Sequence, residues 1–376
     1  MRHISTYILF ISLVLFSHNS IAQSNASQSI SIDEKIGQMI MVGFHGFQLS
    51  DTSHVIRDIT EYHTGGVILF DYHMPERSPN RNIDSPVQVT QLISELQGLS
   101  DKTLFVAVDQ EGGRVARLKT DRGFPNHVSA QYLGEINHMD TTRYYAAKMA
   151  EELQMLGFNV NFAPVVDLNT NPQNPVIGRL ERSFSYDSAI VTDHASIFLE
   201  EFNKNRILGV LKHFPGHGSA WNDSHLGMAD VTDTWDQVEL EPYKLLSQKD
   251  APFAIMTAHV FNEHLDSDDP ATLSRAVQHN LLREEIGFNG VLFSDDMQME
   301  AIRSFYGLDT AVEKALLAGV DVLVFANNSV YDREIVPKLV QIIQGLISDG
   351  IITEERIHES YERIQRAKAR FNINGN

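Results

Sequence analysis

The run LGVLKHFPGHGSAWNDSH (208–225) changes character halfway along its length. Its first half (208–214) is mostly apolar, and short apolar runs of this kind are typical of strands that are buried on both faces of a parallel sheet. Pro215, Gly216 and Gly218 then exclude a helix, so the second half is predicted to be a loop that leaves the strand. The run therefore joins a buried strand to a loop that is crowded with titratable side chains.

Seven further apolar runs predict strands of the same kind. They are QMIMVGF (38–44), GGVILF (65–70), LFVAVDQ (104–110), NVNFAPVVD (159–167), FAIMTAHV (253–260), GVLFSDD (290–296) and VDVLVFAN (320–327). Amphipathic helical stretches at 87–99, 142–157 and 308–319 lie between them and end on or near glycine. Alternation of strand and helix predicts parallel strands with right-handed crossovers.

Eight such strands favour an α/β fold with a single (β/α)8 barrel of the TIM type over an open doubly wound sheet. No G-x-G-x-x-G sequence opens a helix after an early strand, which argues against a dinucleotide-binding domain. Two more helices, at 333–350 and 353–371, are expected to close the chain. Thr353 is predicted to cap the second helix, and Ile357, Tyr361 and Ile364 form its apolar stripe.

The amino terminus predicts export. Residues 1–22 combine a basic start, an apolar run and a small-x-small site, as in a secretory signal peptide. An uncleaved membrane anchor is the alternative. Residues 23–33 are predicted to form a disordered tether and residues 34–376 the barrel domain with its terminal helices. We therefore expect an exported protein, periplasmic or secreted, with no stable membrane insertion after cleavage.

The composition excludes some kinds of function. The net charge of −19 argues against nucleic-acid binding, which requires a basic surface. The chain has no cysteine, so disulfide bonds and thiolate chemistry are excluded. Neither the oligomeric state nor a protein partner can be predicted from the sequence.

In a barrel, the polar residues at the carboxyl ends of the strands share one rim, where such enzymes have their active sites. These residues are Asp109, Arg114, Arg117, Asp167, Lys212, His213, His259, Asp295 and Asp296. Each could instead be a helix cap, a surface ion pair or a structural histidine, but their joint occurrence on one rim favours a functional site.

The loop after the quoted strand adds a proton carrier. Asp223 and His225 are two residues apart, so in extended backbone their side chains project to the same side and can form a hydrogen bond. Such a pair fixes the imidazole tautomer and raises its basicity. His213 and His217 have the four-residue spacing of zinc ligands on a helix, but Pro215 prevents that helix. A metal site in the loop remains an alternative.

The motif KHFPGHG followed by D-S-H resembles glycoside hydrolase family 3, in its β-N-acetylglucosaminidase branch. Further blocks are similar to those of the family and occur in the same order, over roughly residues 34–345. They are VDQEGGRVARL (108–118), NFAPVVDLN (161–169), NPVIGRLERSFSYD (174–187), MTAHV (256–260) and FSDDMQMEAI (293–302).

The resemblance implies a retaining exo-β-N-acetylglucosaminidase that removes terminal β-linked GlcNAc from peptidoglycan fragments or chitin oligosaccharides, without a metal or cofactor. It identifies Asp295, rather than Asp296, as the nucleophile and His225, held by Asp223, as the acid/base. The family's sugar-binding positions correspond to Asp109, Arg117, Arg182, Lys212 and His213. The export signal departs from the many relatives that act in the cytoplasm.

Other interpretations stay open at this stage. A β-glucosidase of the same family usually carries a second domain, which this chain has no room for. A metal-dependent barrel hydrolase could use His213, His217 and His225, and a glycan-binding protein without catalysis is a third possibility. Trp221 is expected to pack on its own loop rather than to stack on a neighbouring sugar. The sequence leaves the natural aglycone open, and also whether water or phosphate resolves the intermediate.

Overall fold

The computed structural model describes residues 30–249 and 251–371. The predicted signal peptide (1–22) and residues 23–29 of the predicted tether lie outside the described residues. Helix α1 (Ile32–Gln38) begins two residues before residue 34, the predicted start of the barrel domain. The boundary differs because the Ser31 side chain accepts a hydrogen bond from the Glu34 amide and thereby caps the helix.

Eight parallel strands form the central sheet, one from each predicted apolar run. They are β1 (Ile40–Gly43), β2 (Gly66–Ile68), β3 (Phe105–Val108), β4 (Val160–Asn161), β5 (Leu208–Phe214), β6 (Ala254–Thr257), β7 (Leu292–Phe293) and β8 (Leu323–Phe325). Each strand pairs with its neighbour in the chain, and β1 also pairs with β8. A parallel bridge between Phe293 and Val322 joins β7 to the start of β8 and closes the ring. The predicted (β/α)8 barrel is confirmed.

Helices surround the barrel, and those predicted from periodicity are present. Besides α1, they are α2 (His54–Thr60), α3 (Pro86–Gln97), α4 (Ala130–Ile136), α5 (Met139–Leu156), α6 (Ser188–Lys204), α7 (Glu241–Ser247), α8 (Glu300–Arg303), α9 (Leu308–Ala318), α10 (Ile335–Ser348) and α11 (Glu354–Arg370). A π-helix (Ala276–Glu285) takes the helical place between β6 and β7. Within the described ranges, no helix is both long enough and apolar enough to cross a membrane.

The ends of these helices follow from local chemistry. The Ser85 hydroxyl accepts from the Gln88 amide at the start of α3, and Pro86 occupies the first turn, where no amide donor is needed. Helix α5 ends at Gly157, whose φ of 94° lies in the left-handed region that favours glycine. The predicted Thr353 cap of α11 is present and accepts from the Arg356 amide.

Two strands are much shorter than their apolar runs. Strand β4 stops at Asn161, and Pro164 follows it without an amide to donate to the ladder. Pairing resumes only as an isolated bridge between Val165 and Lys212. Strand β7 likewise ends at Phe293, immediately before Asp295 and Asp296. Irregular backbone therefore begins where the polar side chains of the rim begin.

The barrel interior is filled rather than open. The Phe293 ring lies against Phe105 and Phe162, with centroids 6.0 and 5.6 Å apart. At the amino end of the barrel, the Lys368 ammonium donates to the Gly65 carbonyl at 2.7 Å and lies 4.8 Å from the Phe105 ring centroid. We call the three packed rings, Phe105, Phe162 and Phe293, the aromatic plug. Because the plug fills the barrel, a cavity can form only at the carboxyl ends of the strands.

Candidate active site

A cavity of about 390 Å³ opens at the carboxyl ends of the strands. The eight residues predicted to be catalytic or sugar-binding all line it: Asp109, Arg117, Arg182, Lys212, His213, Asp223, His225 and Asp295. Phe162, which belongs to the aromatic plug of the barrel, is also part of its lining. The structure thus brings together side chains from loops that are far apart in the chain.

Asp295 and Asp296 follow β7 but have different surroundings. Burial raises the pKa of Asp295, yet the neighbouring His259, His213 and His225 outweigh burial and lower it to about 2. Burial raises the pKa of Asp296 to about 6, even though its Oδ1 accepts from the Gln298 and Ala326 amides at 3.1 and 3.0 Å. Asp295 is therefore the carboxylate that stays ionised and available, while Asp296 is bonded to backbone.

The predicted pair of Asp223 and His225 is present on the loop after β5. Oδ1 of Asp223 accepts from both the amide and the Nδ1 of His225, each at 2.8 Å. Desolvation lowers the pKa of His225, but the hydrogen bond to Asp223 and the charge of Asp295 more than offset it, so the pKa is raised. Since Nδ1 is engaged, Nε2 is left to exchange a proton with a ligand in the cavity.

A row of alternating charges lines one wall of the cavity, and we call it the ladder of charges: Arg117, Asp109, Lys212, Glu111 and Arg182. Glu111, which joins Lys212 to Arg182, was not among the predicted site residues. Lys212 Nζ donates to Asp109 Oδ1 and lies equally close to Glu111 Oε1, 2.7 Å in both cases. Arg182 donates to both Glu111 oxygens at 2.8 Å. Burial raises the pKa of Glu111, but Arg182 and Lys212 dominate and hold it well below its usual range. Arg117 stands 3.7 Å from Asp109 at the end of the ladder.

The backbone that carries this ladder is fixed by Asn161 of β4. Its side chain accepts from the Gln110 amide at 3.0 Å and donates to the Gln110 carbonyl at 2.9 Å. Gln110 in turn accepts from the Arg117 amide at 2.9 Å. Asp109 and Glu111, on either side of Gln110, therefore have little freedom to move.

Asp167, which follows β4, orients His213. Its Oδ2 is 2.7 Å from His213 Nδ1, and its Oδ1 accepts from the amides of His213 and His217. Burial raises the pKa of Asp167, but the contacts with His213 outweigh it and the pKa is lowered. His213 Nε2 faces Arg182 at 3.4 Å, so its position at the cavity wall is set from both sides.

His259 lies behind Asp295 and was expected only as a rim residue. Its Nε2 is 3.0 Å from the Asp296 carbonyl, which can only accept, so this nitrogen carries the proton. Its Nδ1 is 2.8 Å from the Thr272 hydroxyl. Burial lowers the pKa of His259, and its two hydrogen-bond contacts fix the ring beside the nucleophile candidate.

The histidines proposed as metal ligands have other partners. His213 pairs with Asp167, His225 pairs with Asp223, and His217 Nε2 is 3.0 Å from the Ser224 hydroxyl. Across residues 30–249 and 251–371, no three His, Cys, Asp or Glu side chains are arranged to hold a metal ion. The described residues therefore offer no ligand set for a metal-dependent hydrolase.

The exposure of Trp221 differs from the prediction. It was predicted to pack on its own loop, but it is 62% exposed. Leu226, an apolar residue on the same loop, is itself 80% exposed. A larger and more apolar groove lies elsewhere, between α3 and α5, and includes Val87 and Met155. It contains none of the predicted site residues, so we place the functional site in the charged cavity.

The family model described as the glycosyl hydrolase family 3 N-terminal domain matches residues 31–367. Among curated proteins, β-hexosaminidase A of Pseudoalteromonas piscicida is 33% identical over 83% of this chain and 54% of its own length. β-Hexosaminidase LpqI of Mycobacterium tuberculosis is 31% identical over 90% of this chain and 83% of its own.

Solved structures of a β-N-acetylglucosaminidase and a β-N-acetylhexosaminidase are also similar to this chain. A glycoside hydrolase family 3 β-N-acetylglucosaminidase from Paenibacillus sp. str. FPU-7 superposes with a TM-score of 0.84 and 33% identity, over 93% of this chain and 64% of that one. A β-N-acetylhexosaminidase from Beutenbergia cavernae has a TM-score of 0.80 and 26% identity, over 91% of this chain and 99% of that one. The chain thus spans about half the length of the Pseudoalteromonas relative and most of the length of others.

Proposed function

The chain belongs to glycosyl hydrolase family 3, and we propose that it is a retaining exo-β-N-acetylglucosaminidase. The names of its relatives support hexosaminidase activity. The observation that carries the proposal is that an ionised carboxylate, Asp295, and a protonatable imidazole, His225, line one cavity and influence each other's pKa.

Asp295 has the properties of the nucleophile. A carboxylate with a pKa of about 2 is fully ionised at neutral pH. In a retaining mechanism it attacks the anomeric carbon while the bond to the leaving oxygen breaks, which gives a glycosyl-Asp295 intermediate. Asp296 supports it from the backbone side, because the Asp296 amide donates to Asp295 Oδ1 at 2.7 Å.

His225 has the properties of the acid and base. In the first step its imidazolium donates the Nε2 proton to the leaving oxygen, and Asp223 stabilises the charged ring. In the second step the neutral ring takes a proton from water as the water oxygen attacks the anomeric carbon and Asp295 departs as a carboxylate. A neutral imidazole adds no second negative charge beside the nucleophile, unlike the second carboxylate of most glycosidases.

The ladder of charges supplies the groups that would hold a single terminal sugar. Asp109 would accept from sugar hydroxyls, and Arg117, Arg182, Lys212 and His213 would donate to hydroxyls or to the N-acetyl carbonyl. Hydrogen bonds to charged groups are worth about 1.5–3 kcal/mol each. Because the aromatic plug closes the barrel below them, the sugar chain can extend only outwards, which favours exo cleavage.

We also propose that the protein is exported and acts in a periplasm or outside the cell, where peptidoglycan fragments or chitin oligosaccharides are its substrates. The support for export is the amino-terminal sequence alone. Cell fractionation with antibody detection would test it, and a signal confined to the cytoplasm would contradict it.

Product analysis tests the function itself. The purified protein would be incubated with p-nitrophenyl β-GlcNAc, p-nitrophenyl β-glucoside, chitobiose and muropeptides, with and without phosphate. We expect free GlcNAc from the non-reducing end and negligible glucoside cleavage. Cleavage of the glucoside alone would identify a β-glucosidase, binding without turnover would identify a lectin-like protein, and loss of activity with a chelator would identify a metal enzyme.

A further inference from the structure

We infer that the hydrogen bond between His217 and Ser224 is a latch that holds the Asp223–His225 pair in place over Asp295. Ser224 is then a positioning residue for proton transfer, although it does not touch the reacting atoms. This inference rests on the proposed function, since it concerns the delivery of the same proton.

The half of the loop that contains His217 is held firmly by the barrel. The His217 amide donates to Asp167 Oδ1 at 2.8 Å, and the adjacent Gly218 amide donates to Glu239 Oε2 at 3.0 Å. Asn174 Nδ2 donates to the His217 carbonyl at 2.7 Å and also to the Gly218 carbonyl. Both His217 and Glu239 are at least 98% buried. His217 is therefore a fixed point.

The half of the loop that carries His225 is mostly open to solvent. The side chain of His225 is 56% exposed, and Leu226 beside it is 80% exposed. Between Trp221 and Gly227, Ser224 alone is buried, and its hydroxyl lies 3.0 Å from His217 Nε2. This contact is the side-chain link between the exposed pair and the fixed part of the loop.

The latch acts on the position of the proton carrier, not on its chemistry. The hydrogen bonds between Asp223 and His225 are local to three consecutive residues and do not involve Ser224. Burial and the nearby His213 lower the pKa of His217 to about 4, so its ring is neutral at the pH of the assay and the contact is not a charged one. Without the Ser224 hydroxyl, the pair would stay intact but move away from Asp295.

The test compares Ser224→Ala with wild type on a substrate that needs the acid and one that does not. On chitobiose, whose leaving sugar needs a proton, we expect kcat to fall by about 10²-fold with KM changed little, as for a reacting group misplaced by about 1 Å. On p-nitrophenyl β-GlcNAc the first step needs little acid catalysis, so we expect the single-turnover rate of p-nitrophenol release, which reports that step alone, to fall much less. Ser224→Thr, which keeps the hydroxyl, should restore most of the chitobiose rate.

Two further variants separate positioning from stability. Ser129→Ala removes a buried hydroxyl that caps α4 and is not part of the cavity lining, and it should destabilise the fold without any difference between the two substrates. His217→Phe keeps a ring but removes the nitrogen that faces Ser224, so it should reproduce the split between substrates, and combining it with Ser224→Ala should add little, because both variants remove the same contact.

The pH profile gives an independent readout. In Ser224→Ala the alkaline limb of kcat/KM should move, because a displaced His225 loses part of the burial that lowers its pKa and also the charge of Asp295 that raises it. Equal losses on both substrates with an unmoved limb, or behaviour matching Ser129→Ala, would overturn the latch alone. A wild type inactive on both substrates would overturn the proposed function and the latch with it.

Discussion

Lys212 lies between two carboxylates at the wall of the cavity and has almost no access to water. Its side chain is 2% exposed, and its ammonium stands 2.7 Å from both Asp109 and Glu111. A buried cation in this position is costly by itself, but its removal is costlier, because it leaves two carboxylates close together with less compensation.

Lys212→Met should therefore destabilise the protein by about 3–5 kcal/mol, the usual cost of breaking a buried ion pair from one side. Urea unfolding monitored by circular dichroism would measure the change. The double variant Lys212→Met/Asp109→Asn should be less destabilised than the single one, since the neutral amide no longer repels Glu111 and the other partner of Asp109, Arg117, is partly exposed. Near-wild-type stability of the single variant would contradict the role we give to the ladder.

His225→Ala removes the proton carrier but leaves Asp295 in place. We expect kcat on chitobiose to fall by about 10²–10⁴-fold, the usual size of a general acid contribution. Formation of the intermediate from p-nitrophenyl β-GlcNAc should suffer far less, because p-nitrophenolate leaves without a proton. Single-turnover kinetics would compare the two substrates, and equal losses would argue against His225 as the proton donor.

At the residue scale, the sequence reveals what is close in the chain. The pair of Asp223 and His225 could be predicted because side chains two apart share a side in extended backbone. The same rule applied to Asp109 would have predicted Glu111 as well. The partnership of Asp167 and His213 could not be predicted from spacing, since 46 positions separate them and only the pairing of β4 with β5 brings them together.

Among the elements, apolar runs predicted where strands lie but not how long they are. The runs at 159–167 and 290–296 gave strands of two residues each, because a proline or side-chain hydrogen bonds interrupt the ladder. The π-helix Ala276–Glu285 was not predicted at all, since its apolar positions do not keep a clear helical spacing. By contrast, α11 follows its predicted cap and apolar stripe closely.

Lys368, on helix α11, is expected to make the stability of the fold depend on pH. Burial, together with Lys102, lowers the pKa of Lys368 to about 7 from 10.5. Between these values the folded chain is neutral at this site while the unfolded chain is protonated, so the unfolded state binds more protons and stability rises with pH.

Lys368→Met should remove this contribution. From pH 7 to pH 9, the free energy of unfolding of wild type should gain on the order of 2 kcal/mol relative to the variant. Paired urea titrations at the two pH values would measure the difference, and taking it between the two proteins cancels the other titrating groups. Parallel pH dependences would show that the ammonium is not desolvated at the base of the barrel.

The whole molecule places all its predicted chemistry at one end of the barrel. The amino end is sealed by Lys368 and the aromatic plug, while the loops at the carboxyl ends carry the proposed nucleophile, the proposed proton carrier and the ladder of charges. The cations of the ladder stand out in a chain with a net charge of −19 and suit a ligand with oxygen acceptors. The overall architecture could be predicted from the alternation of strands and helices, whereas the cavity could not, because its lining comes from loops that are far apart in the chain.

The pH dependence of activity follows from this arrangement. The active form has Asp295 ionised and His225 protonated, so kcat/KM should stay high from weakly acidic pH up to an alkaline limb above 6.5, the ordinary imidazole value. Asp223→Asn replaces a carboxylate that raises the pKa of His225 and should move this limb to lower pH. Rate profiles on chitobiose would measure both limbs, and an unmoved limb in the variant would contradict the pairing.

Identification of the covalent intermediate tests the central claim most directly. His225→Ala, mixed rapidly with p-nitrophenyl β-GlcNAc and quenched in acid, should accumulate a glycosyl-enzyme because the second step lacks its base. Peptide mapping by mass spectrometry should then show the added mass of one GlcNAc residue on Asp295. An adduct on Asp296 or on any other residue, or turnover of the substrate with no adduct at all, would contradict the account.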